Sequence, residues 1–184
     1  MGRFLLVVAG LVIGTLEVSG DPEPKVAPRF EDYPVTRMFE GKPVPPNIVT
    51  PVQHRYRTRI REGVEKGWGV NRDGLESAGP NFAGDIIFIQ WGCGAPCLMA
   101  ALVNARTGEV YNPPLAVDNT FALPILSIGC CSAGRNPDLE FRPNSRLMIV
   151  SASPNWFRKN HRSYRHYFVW QSSRWVLVYK ESVD

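Results

Sequence analysis

Four cysteines and three histidines are the side chains of this sequence best suited to nucleophilic, redox or metal chemistry. Cys93 and Cys97 enclose three residues in Trp91-Gly92-Cys93-Gly94-Ala95-Pro96-Cys97, while Cys130 and Cys131 are adjacent. A thioredoxin-like redox pair encloses two residues and sits beside a βαβ pattern. A reactive thiolate also needs a helix N-terminus or a nearby cation to lower its pKa. Gly94 and Pro96 supply neither, but they suit a tight ring, so a structural Cys93–Cys97 disulfide is the preferred reading. The pairing of Cys130 and Cys131 stays open. A cysteine nucleophile would need His54, His161 or His166 and an acid such as Asp85 or Asp118, brought together only by the fold. A serine hydrolase elbow of the form G-x-S-x-G is absent from the sequence. His161 and His166 have the spacing of neither a helical metal pair nor one strand face, and no run has zinc-ligand spacing. They are expected in a solvated basic loop. The sequence carries no cofactor or metal motif.

The first twenty residues decide which compartment those cysteines meet. Arg3 followed by an apolar run over residues 4–13, with Val18-Ser19-Gly20 offering small residues before Asp21, has the layout of a secretory signal peptide. Gly14, Thr15 and Glu17 end the run well short of the roughly 20 apolar residues a membrane span takes. The chain is therefore expected to be exported, periplasmic or secreted, with no transmembrane segment after cleavage. An oxidising compartment favours disulfides over metal sites. At 184 residues, 44% hydrophobic and 21% charged, the chain has the size and composition of one globular domain, which excludes a disordered or collagen-like protein.

Three parts follow from the pattern: residues 1–20 as signal peptide, 21–47 as an arm, and 48–184 as one β-rich domain. The arm carries Pro22, Pro24, Pro28, Pro34, Pro43, Pro45 and Pro46, and missing amide donors rule out a long helix or central strand there. Such an arm is either mobile or draped over the domain. Thr50-Pro51-Val52-Gln53 reads as a capping box, and Val52, Tyr56, Ile60 and Val64 then recur every fourth residue up to Gly67. One amphipathic helix is expected there. After the loop over residues 68–80, the pattern turns to β. A buried strand is predicted over 85–91, and hairpins over 98–105 with 109–111, 139–141 with 146–151, and 164–170 with 174–179. The fold class predicted is mainly β (α+β): antiparallel hairpins in a sandwich or partial barrel, preceded by one helix.

The stretch from 155 to 180 carries Arg158, Lys159, Arg162, Arg165, Arg174 and Lys180, with no acid before Glu181. Trp156, Phe157, Tyr164, Tyr167, Phe168, Trp170, Trp175 and Tyr179 are interleaved. Such mixtures can bind nucleic acid through phosphate contact and stacking, but an exported chain is not expected to meet it. The plain reading is core aromatics alternating with solvated charges. The functional one is a surface for an acidic periplasmic protein or an anionic envelope polymer, since Arg and aromatics are enriched at protein interfaces.

Pro80-Asn81-Phe82-Ala83-Gly84, the Trp91–Cys97 loop and Ala105-Arg106-Thr107-Gly108-Glu109-Val110-Tyr111 together give a PNFAG…WGCGxxC…AxTGxVY pattern. It resembles a group of small exported bacterial proteins of unsettled function, over most of the chain from about Pro45 onward. The insertion over residues 68–78 and the second cysteine pair depart from that pattern. The resemblance implies compartment and fold and transfers no catalytic residue.

The function expected on these grounds is an exported binding protein of the inhibitor or immunity type, which blocks a partner protein. Its contacts would be Trp91, Gly94 and Pro96 on the disulfide-held loop, with Trp156, Arg158, Arg162 and Arg165 on the basic segment. The competing readings are a thiol oxidoreductase or cysteine-dependent hydrolase of the cell envelope, and a structural envelope protein.

Overall fold

The computed structural model describes residues 26–67, 79–92, 98–116, 121–123, 139–152 and 164–182. Two four-stranded antiparallel sheets and a small helical layer make a mainly β fold. In the first sheet, β1 (Ile86–Gly92) pairs with β2 (Leu98–Asn104), whose other edge carries two short strands, β3 (Val110–Tyr111) and β4 (Ala122–Leu123). In the second, β5 (Leu139–Phe141), β6 (Leu147–Ala152), β7 (Tyr164–Gln171) and β8 (Arg174–Ser182) lie side by side in chain order.

The inner faces of the sheets meet in a sandwich core. Ile86, Phe88, Ala100 and Leu102 from the first pack with Met148, Val150, Phe168 and Trp170 from the second. Alternate residues of β1 and β2 point the other way: Ile87, Ile89, Trp91, Ala101 and Val103 bury against Ile60 and Val64 of the helices. Both faces of β1 are thus covered, which is why its sequence is a nearly unbroken apolar run instead of an alternation.

The helical layer is α1 (Pro51–Arg55) followed by α2 (Arg57–Lys66). The capping box forms: the Gln53 N–H donates to Thr50 Oγ1 at 3.3 Å, and Gln53 Oε1 accepts from the Thr50 N–H at 3.1 Å. The single helix expected from the periodicity is broken once, at Tyr56 (φ −106°, ψ 14°). Its ring lies 5.5 Å from Trp91 and 6.1 Å from Phe121, so packing at this residue accompanies the break in helical geometry.

Each predicted hairpin is present, with strand limits shifted by at most three residues. The last turns through Ser172 and Ser173, both at positive φ (50° and 60°), the backbone of the tight mirror-image turns that match sheet twist. The outer face of the second sheet is covered by the proline-rich arm, where Phe30 packs on Leu147, Ile149, Tyr167 and Val169. From there the arm runs as a strap. Arg146 N–H donates to Tyr33 O, Val35 N–H to Asn144 O, Phe39 N–H to Gly84 O, Val44 N–H to Ala105 O and Asn47 N–H to Gly108 O. Two glycines make room for it. Gly84 (φ 83°) would place a Cβ 2.7 Å from Arg37 O, and Gly108 (φ 74°) would place one against Pro45 O.

The register separates the two ends of the sandwich. One end gathers the turns at 83–85, 105–108 and 142–145, which bond to one another or to the strap, and the turn at 172–173, whose Ser173 hydroxyl lies 3.1 Å from that of Tyr111 on β3. At the other end lie Gly92, Leu98 and Leu123 of the first sheet, and Leu139, Ala152, Tyr164 and Ser182 of the second. The strands lead from this second end into the connections 93–97, 124–138 and 153–163.

Candidate functional site

Cys93, Gly94, Pro96, Cys97, Trp156, Arg158 and Arg162 lie outside the described residues, as do Cys130, Cys131, Asp118 and His161. The described residues set the platform from which those connections leave. Trp91, expected to flank the loop tip as a contact, is 6% exposed. Its indole packs against Tyr56 and lies edge-on to Phe121 at 5.8 Å. It anchors the end of β1 from within; the even spacing of 87, 89 and 91 on the helix-facing side puts it there.

Arg165 is at the same end, on the outward side of β7, but it is not a free cation. Its guanidinium lies 3.4 Å from Glu140 Oε1 of β5 and 4.0 Å from Glu181 Oε1 of β8. Counting acids within one segment hid this, because sheet pairing supplies carboxylates from neighbouring strands. Glu181 also accepts from the Tyr167 hydroxyl at 2.6 Å. Burial first, then this carboxylate, push Tyr167 up to about 12.

His166 corrects a second expectation. It lies in β7, 5% exposed, not in a solvated loop. Its alternation with Phe168 and Trp170 turns it toward the first sheet. The ring stacks on Phe168 with centroids 6.1 Å apart, and its register partner is Lys180, whose Nζ sits 3.7 Å over the Tyr164 ring. Burial, reinforced by the Lys180 charge, holds the imidazole below its ordinary range. Its Nδ1 is buried and has no hydrogen-bond partner among the described residues. Gln90 Oε1, two residues before the end of β1, is in the same state. Nothing in the sequence pattern singles out Gln90, which lies between Ile89 and Trp91 in the apolar run of β1.

Among the described residues, the catalytic partners weighed for a cysteine (Asp85, His54 and His166) do not share one site. Asp85 precedes β1 and belongs to the turn end, a strand length of roughly 23 Å from Gly92 at about 3.3 Å per residue. It is held by Arg106 at 3.2 Å and by the Asn104 side chain at 3.4 Å. His54 is exposed on α1. Among the described residues, no three His, Cys, Asp or Glu side chains are grouped to hold a metal ion. Among those residues too, no helix is long and apolar enough to cross a membrane.

The residues that carry the PNFAG pattern have structural roles instead. The Asn81 amide bonds both main-chain groups of Phe88. Phe82 is fully buried, Ala83 takes positive φ (48°), and Gly84 admits the strap. Comparison with protein-family models, with curated proteins and with solved structures gives no match to this chain.

Proposed function

We propose that the protein is an exported, periplasmic binding protein of the bacterial envelope that blocks an acidic partner protein through the connections at the end of its sandwich opposite the strap-tied turns. The reading keeps it with the small exported proteins that its sequence pattern resembles. One observation carries it: Gly92 and Leu98, which flank the WGCGxxC loop, and Ala152 and Tyr164, which flank the basic aromatic connection, lie at the same end. The strap ties the opposite end shut. Loops presented together by a rigid β scaffold are a recurrent recognition arrangement. The two segments that the sequence marks as contacts therefore leave one platform. Gly94, Pro96, Trp156, Arg158 and Arg162 would provide the contact surface, with Trp91 and the Arg165–Glu140 pair fixing the strand ends beneath it.

The reading treats the Cys93–Cys97 bond as inert scaffolding. Thiol labelling of native protein purified from its own compartment tests this, with labelled sites identified by mass spectrometry. Cys93 and Cys97 are expected to resist labelling until reductant is added. Rapid labelling of either near neutral pH would favour the competing thiol-enzyme reading.

A further inference from the structure

An open cleft of about 770 Å³ lies on the flank of the turn end, where the start of α1, the end of β3 and the β7–β8 hairpin come together. That volume falls within the roughly 300–1,000 Å³ of small-molecule sites. Three rings line it: Tyr111, Trp170 and Trp175. Their polar atoms are largely committed elsewhere. Trp175 Nε1 donates to Asn112 O at 3.0 Å, and the Tyr111 hydroxyl donates to Glu109 at 2.6 Å. The rings accordingly offer a ligand apolar surface more than hydrogen bonds, and they are braced. Trp170 stands edge-on to both Tyr111 (5.1 Å) and Trp175 (4.9 Å), and Trp175 stacks on Phe82 at 5.6 Å.

The cleft runs along the edge of the first sheet, where an extended peptide could add as a strand. Two edge carbonyls are already engaged: Val110 O accepts from Gln53 Nε2 at 3.2 Å, and Asn112 O accepts from Trp175 Nε1. Strand addition needs such main-chain acceptors, so the lining favours a ligand read by side chains and ring faces. Arg174 lies at the rim, exposed, and forms no ion pair with a described residue. A guanidinium there matches a carboxylate in two-pronged geometry. Rings that present apolar surface suit the C–H faces of a pyranose, and the Asn112 amide and Ser173 hydroxyl suit its hydroxyl groups.

We propose that this cleft binds a short acidic oligosaccharide, with a sugar ring against Trp175 and Tyr111 and a uronic-acid carboxylate on Arg174. The cleft is lined by residues other than those of the proposed protein-binding surface, and this proposal stands or falls without that one. Digalacturonate and the neutral disaccharide lactose serve as probes for the full mature chain, titrated by calorimetry and by tryptophan fluorescence. Arg174→Ala removes the cation, and Pro51→Trp fills the cleft from the exposed first position of α1. Circular dichroism checks that both variants fold. The expected result is saturable digalacturonate binding, weakened about ten- to a hundredfold by Arg174→Ala as a charge-assisted hydrogen bond is lost, and abolished by Pro51→Trp. No digalacturonate binding at millimolar concentration, equal binding of lactose, or binding that neither folded variant weakens would each overturn the proposal.

Discussion

The Asn81 side chain closes the main chain of Phe88: its Nδ2 donates to Phe88 O at 2.9 Å, and its Oδ1 accepts from the Phe88 N–H at 2.7 Å. Both residues are buried, and Phe88 sits at the middle of β1, on the edge of that strand away from β2. Among the described residues no strand pairs with β1 at Phe88 on this edge, and the amide does the work of one such paired residue, which protects an edge that would otherwise present open donors and acceptors.

Replacing Asn81 with Leu keeps the volume and removes both bonds. Each buried main-chain group left unpaired costs about 1–3 kcal/mol, so Asn81→Leu is expected to destabilise the fold by about 2–5 kcal/mol in urea denaturation. A change below about 1 kcal/mol would mean that water reaches Phe88 and that the edge is not sealed.

Gly63 of α2 faces Ile89 of β1 so closely that an added Cβ would overlap the Ile89 side chain, with Cδ1 only 2.9 Å away. In an exposed helix, Gly→Ala stabilises by about 1 kcal/mol. Here Ile89 is fully buried and cannot swing aside, and overpacking costs about 1–3 kcal/mol. Gly63→Ala should therefore lower stability, or at best leave it unchanged, on thermal denaturation. A gain would show that the helix rides higher on the sheet.

His166 makes stability depend on pH. Its folded pKa lies below the ordinary value of 6.5 because burial and the facing Lys180 disfavour the charge; Tyr164 and Phe168 are its ring neighbours. The unfolded chain then binds a proton that the folded one resists. Stability is full above the unfolded pKa and falls as pH drops below it. Between about pH 7.5 and pH 5.5, above the range of ordinary carboxylates, the melting temperature should fall for the native chain and fall less for His166→Leu. Parallel curves would mean that the imidazole is solvated.

Much of the fold was legible because its signals are local. The Thr50–Gln53 box, the positions of the hairpins and the apolar run of β1 each follow from a few neighbouring residues. What escaped was non-local. Arg165 looked free until sheet pairing brought Glu140 from another strand. His166 looked solvated because the start of β7 lies among charged residues. Trp91 looked like a loop contact, although its alternation with Ile87 and Ile89 already pointed inward. The break at Tyr56 coincides with contacts to Trp91 and Phe121 that no spacing within the helix reveals. The cleft of Tyr111, Trp170 and Trp175 forms where the start of α1, the end of β3 and the β7–β8 hairpin meet, and no single one of these stretches reveals it.

On the proposed function, recognition belongs to the end of the sandwich opposite the strap-tied turns. Its most direct measurement is a capture comparison from periplasmic extract with three immobilised forms: the native chain, a variant carrying Gly94→Trp, Arg158→Glu and Arg162→Glu, and a turn-end control, Asn144→Glu. The expected result is an acidic protein that is held by the native chain and the control, is lost from the triple variant, and binds again when added back pure. A triple variant that is folded and retains every partner of the native chain would contradict it.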